Sequence, residues 1–134
     1  MAIVNGMRLL GSIRKACGIV YREKGPGFSS SIYRECLNME LAIQQIPFYN
    51  DVEMDILYRG QMLQQKFRAD LICFQDILVD VRTERALDRR HRRLARNYLR
   101  ATGLSMAALV NFGSPYRLQW EWVERPKRRG PGMG

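Results

Sequence analysis

Hydrophobic residues change period along the first half of the chain, and the change separates helices from strands. Leu9, Leu10, Ile13, Cys17 and Val20 follow three- and four-residue steps with Arg8, Arg14 and Lys15 between them, the spacing of a helix that buries one face. This predicts an amphipathic helix over residues 7–21. Lys24-Gly25-Pro26-Gly27 stops it, because glycine supplies a positive φ and proline prevents continuation. Ser29, Ser30 and Ser31 then offer N-cap hydroxyls to a second helix over 31–45, with Ile32, Cys36, Leu37, Leu41 and Ile43 on its buried side.

After Ile46-Pro47 the period becomes two. Val52, Met54, Ile56 and Tyr58 alternate with Glu53, Asp55, Leu57 and Arg59, a strand with one wetter face. A turn at Arg59-Gly60-Gln61 leads to a second strand over 62–67. A third covers 69–74 and is apolar on both sides apart from Asp70; after Gln75-Asp76 a fourth covers 77–81. Two nearly continuous apolar runs predict central strands covered on both faces.

Residues 84–101 read as a third helix, stopped by Thr102-Gly103. Leu87, His91, Leu94 and Tyr98 form one stripe and Arg85, Arg89, Arg92 and Arg96 follow the same steps on another face. Residues 105–112 predict an apolar strand, Gly113-Ser114-Pro115 a turn, and 116–123 a last alternating strand. The expected order is ααββββαββ. Tyr116, Trp120 and Trp122 share a face of that last strand, either completing the core or offering a stacking surface. His91 is the only histidine, and with no second ligand at metal spacing it reads as a packed or hydrogen-bonded core residue.

Charge is what departs from an ordinary small domain. The 134 residues carry a formal net charge of +9. Residues 1–81 hold nine basic and nine acidic side chains, whereas 82–134 hold thirteen and four. Eighteen of the 22 cations are Arg, which forks onto phosphate or carboxylate. Segment 82–100 alone has eight Arg against two acids; a solvated helix face normally mixes signs. This marks Arg85, Arg89, Arg92, Arg93, Arg96 and Arg100 as candidate contacts to nucleic acid, DNA or RNA, joined by Arg125, Lys127, Arg128 and Arg129 of the tail. An acidic protein or a second copy of the chain is the other kind of partner such a face could take.

Composition removes other classes. With 46% hydrophobic and 26% charged residues the chain can build a core, expected as one domain over 1–124 followed by a flexible basic tail over 125–134. No apolar run approaches the roughly 20 residues that cross a bilayer, and the N-terminus lacks the order of a secretory signal. A soluble, cytoplasmic protein without a membrane partner is expected. Cys17, Cys36 and Cys73 are widely spaced among apolar neighbours and read as buried reduced thiols.

Asp70 and Asp80 carry the candidate chemistry. A carboxylate in an apolar strand is costly unless something positive compensates it. The two lie ten residues apart about a predicted turn, on adjacent strands, and Arg82 projects from the same face as Asp80. Two carboxylates beside a cation are the layout of a Mg²⁺ or Mn²⁺ site for phosphodiester hydrolysis, in which metal activates water and the cation neutralises phosphate. They are equally the layout of a structural Asp-Arg-Asp cluster.

Gly25-Pro26-Gly27, Tyr33, Arg68-Ala69-Asp70-Leu71, Val79-Asp80-Val81-Arg82, Asn97-Tyr98-Leu99-Arg100-Ala101-Thr102-Gly103 and Val110-Asn111-Phe112-Gly113 resemble, in order, the GxxExxY proteins of the PD-(D/E)XK superfamily, whose fold is shared with restriction endonucleases. The resemblance implies an α/β (α+β) restriction-endonuclease-like core, a central mixed sheet flanked by helices, and a metal-dependent nuclease site at Asp70, Asp80 and Arg82. The departures from the family are chemical. Ser30 stands at the glutamate position between Gly27 and Tyr33, Asp80-Val81-Arg82 replaces Glu-x-Lys, and Leu94 replaces a glutamine four residues before Tyr98. Asp shortens the reach by one methylene, Arg cannot readily exchange a proton with water, Ser30 removes a possible metal ligand, and Leu94 removes a polar positioning group. The expectation is a catalytically impaired nuclease fold that binds nucleic-acid backbone or serves a nucleoprotein assembly, needing no cofactor. The alternatives are an active Mg²⁺- or Mn²⁺-dependent nuclease with a variant site, and a structural interaction module.

Overall fold

Strand pairing sets the frame. The computed structural model describes residues 2–127, with α1 (Ala2–Lys24), α2 (Ser30–Ile43), β1 (Phe48–Tyr58), β2 (Gln61–Cys73), β3 (Ile77–Arg82), α3 (Arg89–Thr102), β4 (Met106–Asn111) and β5 (Gln119–Glu124) in that order. The five strands form one mixed sheet in the order β1-β2-β3-β4-β5, with β3 and β4 parallel and the other neighbours antiparallel. The α3 crossover supplies the connection that a parallel pair needs.

The chain thus has five strands where six were expected. Residues 62–67 and 69–74 are not separate, because Arg68 does not break the ladder: it faces Glu53 across β1 and pairs with it at 3.0 Å. At the other end of this hairpin, Arg59 and Gly60 have φ of 50° and 77°, the two positive angles of a tight two-residue turn that matches strand twist.

The helices differ from expectation in their boundaries and faces. On α2 the buried residues are Tyr33, Leu37 and Leu41, while Ile32 and Ile43 are exposed and Cys36 is half-buried. Ser29 holds the N-cap position, but its hydroxyl meets that of Ser31 rather than a helix N–H. Helix α3 starts at Arg89, five residues later than expected. Asp88 caps it, accepting from Arg90 N at 2.8 Å while His91 Nδ1 accepts from Asp88 N at 2.9 Å, a reciprocal cap. The Arg90 side chain holds the Asp88 carboxyl down at about 2.

Two apolar layers sandwich the sheet. Residues alternate along β4, so Met106, Ala108 and Val110 meet α1 and α2 while Ala107 and Leu109 meet Ala95 and Leu99 of α3. Tyr33 stacks on Phe112 in the first layer, centroids 4.5 Å apart. Burial pushes the Cys17 and Cys73 thiols up, Cys73 to about 12, so neither is a ready nucleophile. No helix among the described residues is long and apolar enough to cross a membrane.

Candidate functional site

The β2–β3 ladder ends at Leu71 opposite Val79. One step further, Asp70 replaces the missing rung with its side chain: Oδ2 accepts the Val81 N–H at 2.9 Å. Its other oxygen, Oδ1, accepts from Arg34 Nη1 of α2 at 3.1 Å. Asp70 therefore satisfies a backbone donor where the strands part and carries a guanidinium as counter-ion.

Asp80 lies beside it and is answered from its own strand, with Arg82 Nε at 3.0 Å from its Oδ2. Arg82 also reaches Glu84 at 3.4 Å, and Glu84 lies 3.6 Å from His91 Nε2. Burial holds the Asp80 carboxyl above its ordinary range; Arg82 opposes that rise and the neighbouring Asp70 adds to it. The side chains of Asp70, Asp80 and Arg82 line a pocket of about 170 Å³ with Phe67, Leu78 and Tyr98. Phe67 and Tyr98 stack at 3.7 Å and form its apolar wall.

A divalent cation fits this pocket poorly. Mg²⁺ takes hard oxygen ligands in an octahedral shell, and among the described residues no three His, Cys, Asp or Glu side chains group to hold a metal. The two carboxylates present already face Arg34 and Arg82, so a cation would have to displace both ion pairs.

Helix α3 carries its arginines in two ways. Its buried line is His91, Ala95 and Leu99, leaving Leu94 exposed rather than on the apolar stripe. Arg92 turns toward β5 and pairs with Glu121 at 2.9 Å, and Arg90 pairs with Asp88. Arg89, Arg93, Arg96 and Arg100 are exposed and, among the described residues, have no carboxylate at pairing distance. Their steps of 4, 3 and 4 align them in one row about 16 Å long. Arg85 is exposed but precedes the helix. Segment 83–88 stays out of the helix, with a bend at Arg85-Ala86, because Asn111 Oδ1 accepts from Glu84 N at 2.8 Å and Gln119 Oε1 from Leu87 N at 3.1 Å. Arg125 is tied back, donating to the Gly103 carbonyl at the end of α3. Lys127 is exposed, and Arg128 and Arg129 lie outside the described residues.

A family model for the PD-(D/E)XK nuclease superfamily matches residues 7–123. The chain belongs to that superfamily. No curated protein matches it. Among solved structures, the crystal structure of SSO0001 superposes with a TM-score of 0.58 at 22% identity, over 73% of this chain and 52% of that one. The chain thus spans about half that protein's length, and the likeness shows a shared fold.

Within this PD-(D/E)XK chain, the retained family letters have structural work. Gly27 has φ of 116°, open to glycine and strained for other residues. The Tyr33 hydroxyl donates to the Gly25 carbonyl and accepts from Phe28 N at 3.2 Å, clamping the loop before α2. Gly103 is the left-handed C-cap of α3, at φ 81°. Asn111 is fully buried and also donates to the Glu84 carbonyl at 2.9 Å and to Gln119 Oε1 at 2.7 Å. At Ser30 the glutamate is lost. One helical turn later on the same face stands Arg34, which the sequence reading did not single out, although the i, i+4 step from Ser30 was visible.

Proposed function

We propose that this protein is a nuclease-fold binder of nucleic-acid backbone that has lost efficient phosphodiester hydrolysis, acting alone or as the basic subunit of a nucleoprotein assembly. The observation that carries the reading is the pairing of both site carboxylates with guanidinium groups, Asp70 with Arg34 and Asp80 with Arg82. Hydrolysis in this arrangement lacks an activated water, because Asp70 and Asp80 are occupied by guanidinium groups, no third carboxylate, His or Cys among the described residues groups with them to hold a metal, and Arg82 does not exchange protons near neutral pH.

Binding rests on the row Arg89, Arg93, Arg96 and Arg100. Four phosphate contacts would release condensed counter-ions and give a logarithmic salt slope of about −3 to −4 on duplex DNA. The row reads phosphate spacing rather than base identity, so affinity is expected to be indifferent to sequence. The test is fluorescence anisotropy with mixed-sequence DNA and RNA across a salt series, with Mg²⁺ and Mn²⁺ cleavage measured on the same preparation. Salt-insensitive binding, or metal-dependent cleavage abolished by Asp70→Ala, would overturn the reading.

A further inference from the structure

A second basic surface lies on the opposite side of the sheet from α3. Two adjoining cavities of about 430 and 490 Å³ run along α1, the first facing the outer strand β5 and the second facing Leu118 just before it, and both are lined by Gly11 and Arg14. Trp120 and Trp122 form the β5 wall of the first, and Lys15, Arg22 and Gly18 continue the second. A Cβ on Gly11 or Gly18 would meet nothing within 4 Å; the absent side chains leave the space open.

Both indoles pack one side against the core and leave the rest toward the groove, each being half-buried. Arg14, Lys15 and Arg22 are exposed, and among the described residues none is paired with a carboxylate. The one acid of the lining, Glu121, is engaged by Arg92 at 2.9 Å. The free charge of the groove is therefore positive.

We propose that the groove between α1 and β5 binds single-stranded nucleic acid, with phosphates on Arg14, Lys15 and Arg22 and bases against Trp120 and Trp122. Cations that track a backbone beside aromatic faces are the chemistry of sequence-tolerant single-strand binding. A duplex keeps its bases inside and could use only the cations. The site is separate from the α3 row, and either can stand without the other.

The chain's only two tryptophans are these two, so indole emission reports on the groove directly. A short oligothymidylate should quench it at low salt, and an abasic strand of equal length should quench it far less. Arg14→Glu with Arg22→Glu, both at exposed positions, should raise the midpoint by about tenfold or more, whereas Arg93→Glu with Arg96→Glu should leave it within about twofold. Emission unchanged at saturating oligothymidylate, equal quenching by the abasic strand, or loss of quenching only in the α3 variant would overturn the proposal. A change that follows protein concentration instead would point to a second copy in the groove and overturn it as well. Loss of duplex binding in the α3 variant concerns the backbone-binding reading alone.

Discussion

Arg34 Nη1 stands 3.1 Å from Asp70 Oδ1, so a helix on one side of the sheet neutralises a carboxylate at the point where two strands part. The same carboxylate accepts the Val81 N–H. Asp70→Ala should therefore destabilise the fold without any metal, by about 1–3 kcal/mol for the stranded donor and guanidinium. Denaturant unfolding in the presence of chelator checks this. An Asp70→Ala protein as stable as the parent would deny Asp70 its structural role.

If Arg34 and Arg82 fill the place of a cation, removing the first and replacing the second by a single-point ammonium should open it. Ser30→Glu combined with Arg34→Gln and Arg82→Lys should raise Mn²⁺ affinity about tenfold or more over the parent, by analogy with the weight of groups around metal ligands. Titration calorimetry reads this independently of cleavage.

Asp80 gives a pH signature. Its carboxyl titrates above the ordinary range because burial outweighs the attraction of Arg82, so the folded state holds the proton more tightly than the unfolded one. Its contribution is favourable at low pH and is lost as pH rises from about 4 through the elevated value. Asp80→Asn should flatten that part of the stability profile, with the variant gaining on the parent toward neutral pH. Thermal melts across the acid range test the sign. Asp88 runs oppositely: held at about 2 by Arg90, it contributes stability that falls away as pH drops from about 4 toward 2.

Gly113 sits against the strap that follows β3. A methyl there would collide with the Glu84 carbonyl oxygen and lie 2.6 Å from the Thr83 carbonyl carbon. Gly113→Ala should cost about 1–3 kcal/mol as the strap is pushed away, and thermal unfolding should show it as a lowered Tm.

Within α3 the arginines should separate by role. Arg93→Gln with Arg96→Gln should reduce the salt slope of duplex binding by about two. Arg92→Gln should leave the slope unchanged while loosening β5, because Arg92 is occupied by Glu121. Anisotropy at several salt concentrations distinguishes them.

Much of this arrangement was legible in the chain. The period change at Val52 marked the step from helices to strands, and the spacing about Gln75-Asp76 brought Asp70 and Asp80 onto neighbouring strands as the register requires. What the chain concealed were contacts between distant elements. Arg68 reads as an interruption until Glu53 stands opposite it. Residues 84–88 read as helix until Asn111 and Gln119 claim their amides. Arg34 is an ordinary helix cation until α2 is laid beside the end of β2. Local periodicity carries no information about such partners.

The strap over residues 83–88 also bears on how α3 would meet a ligand. Fastened by Asn111 and Gln119 and ended by the Asp88 cap, it leaves the helix no hinge at its N-terminus. The helix that carries the arginine row is therefore held in one orientation, and the backbone entropy of placing it is spent during folding, while the exposed side chains lose theirs at the encounter. Loosening the strap would make the same four charges a weaker ligand for phosphate without removing any of them.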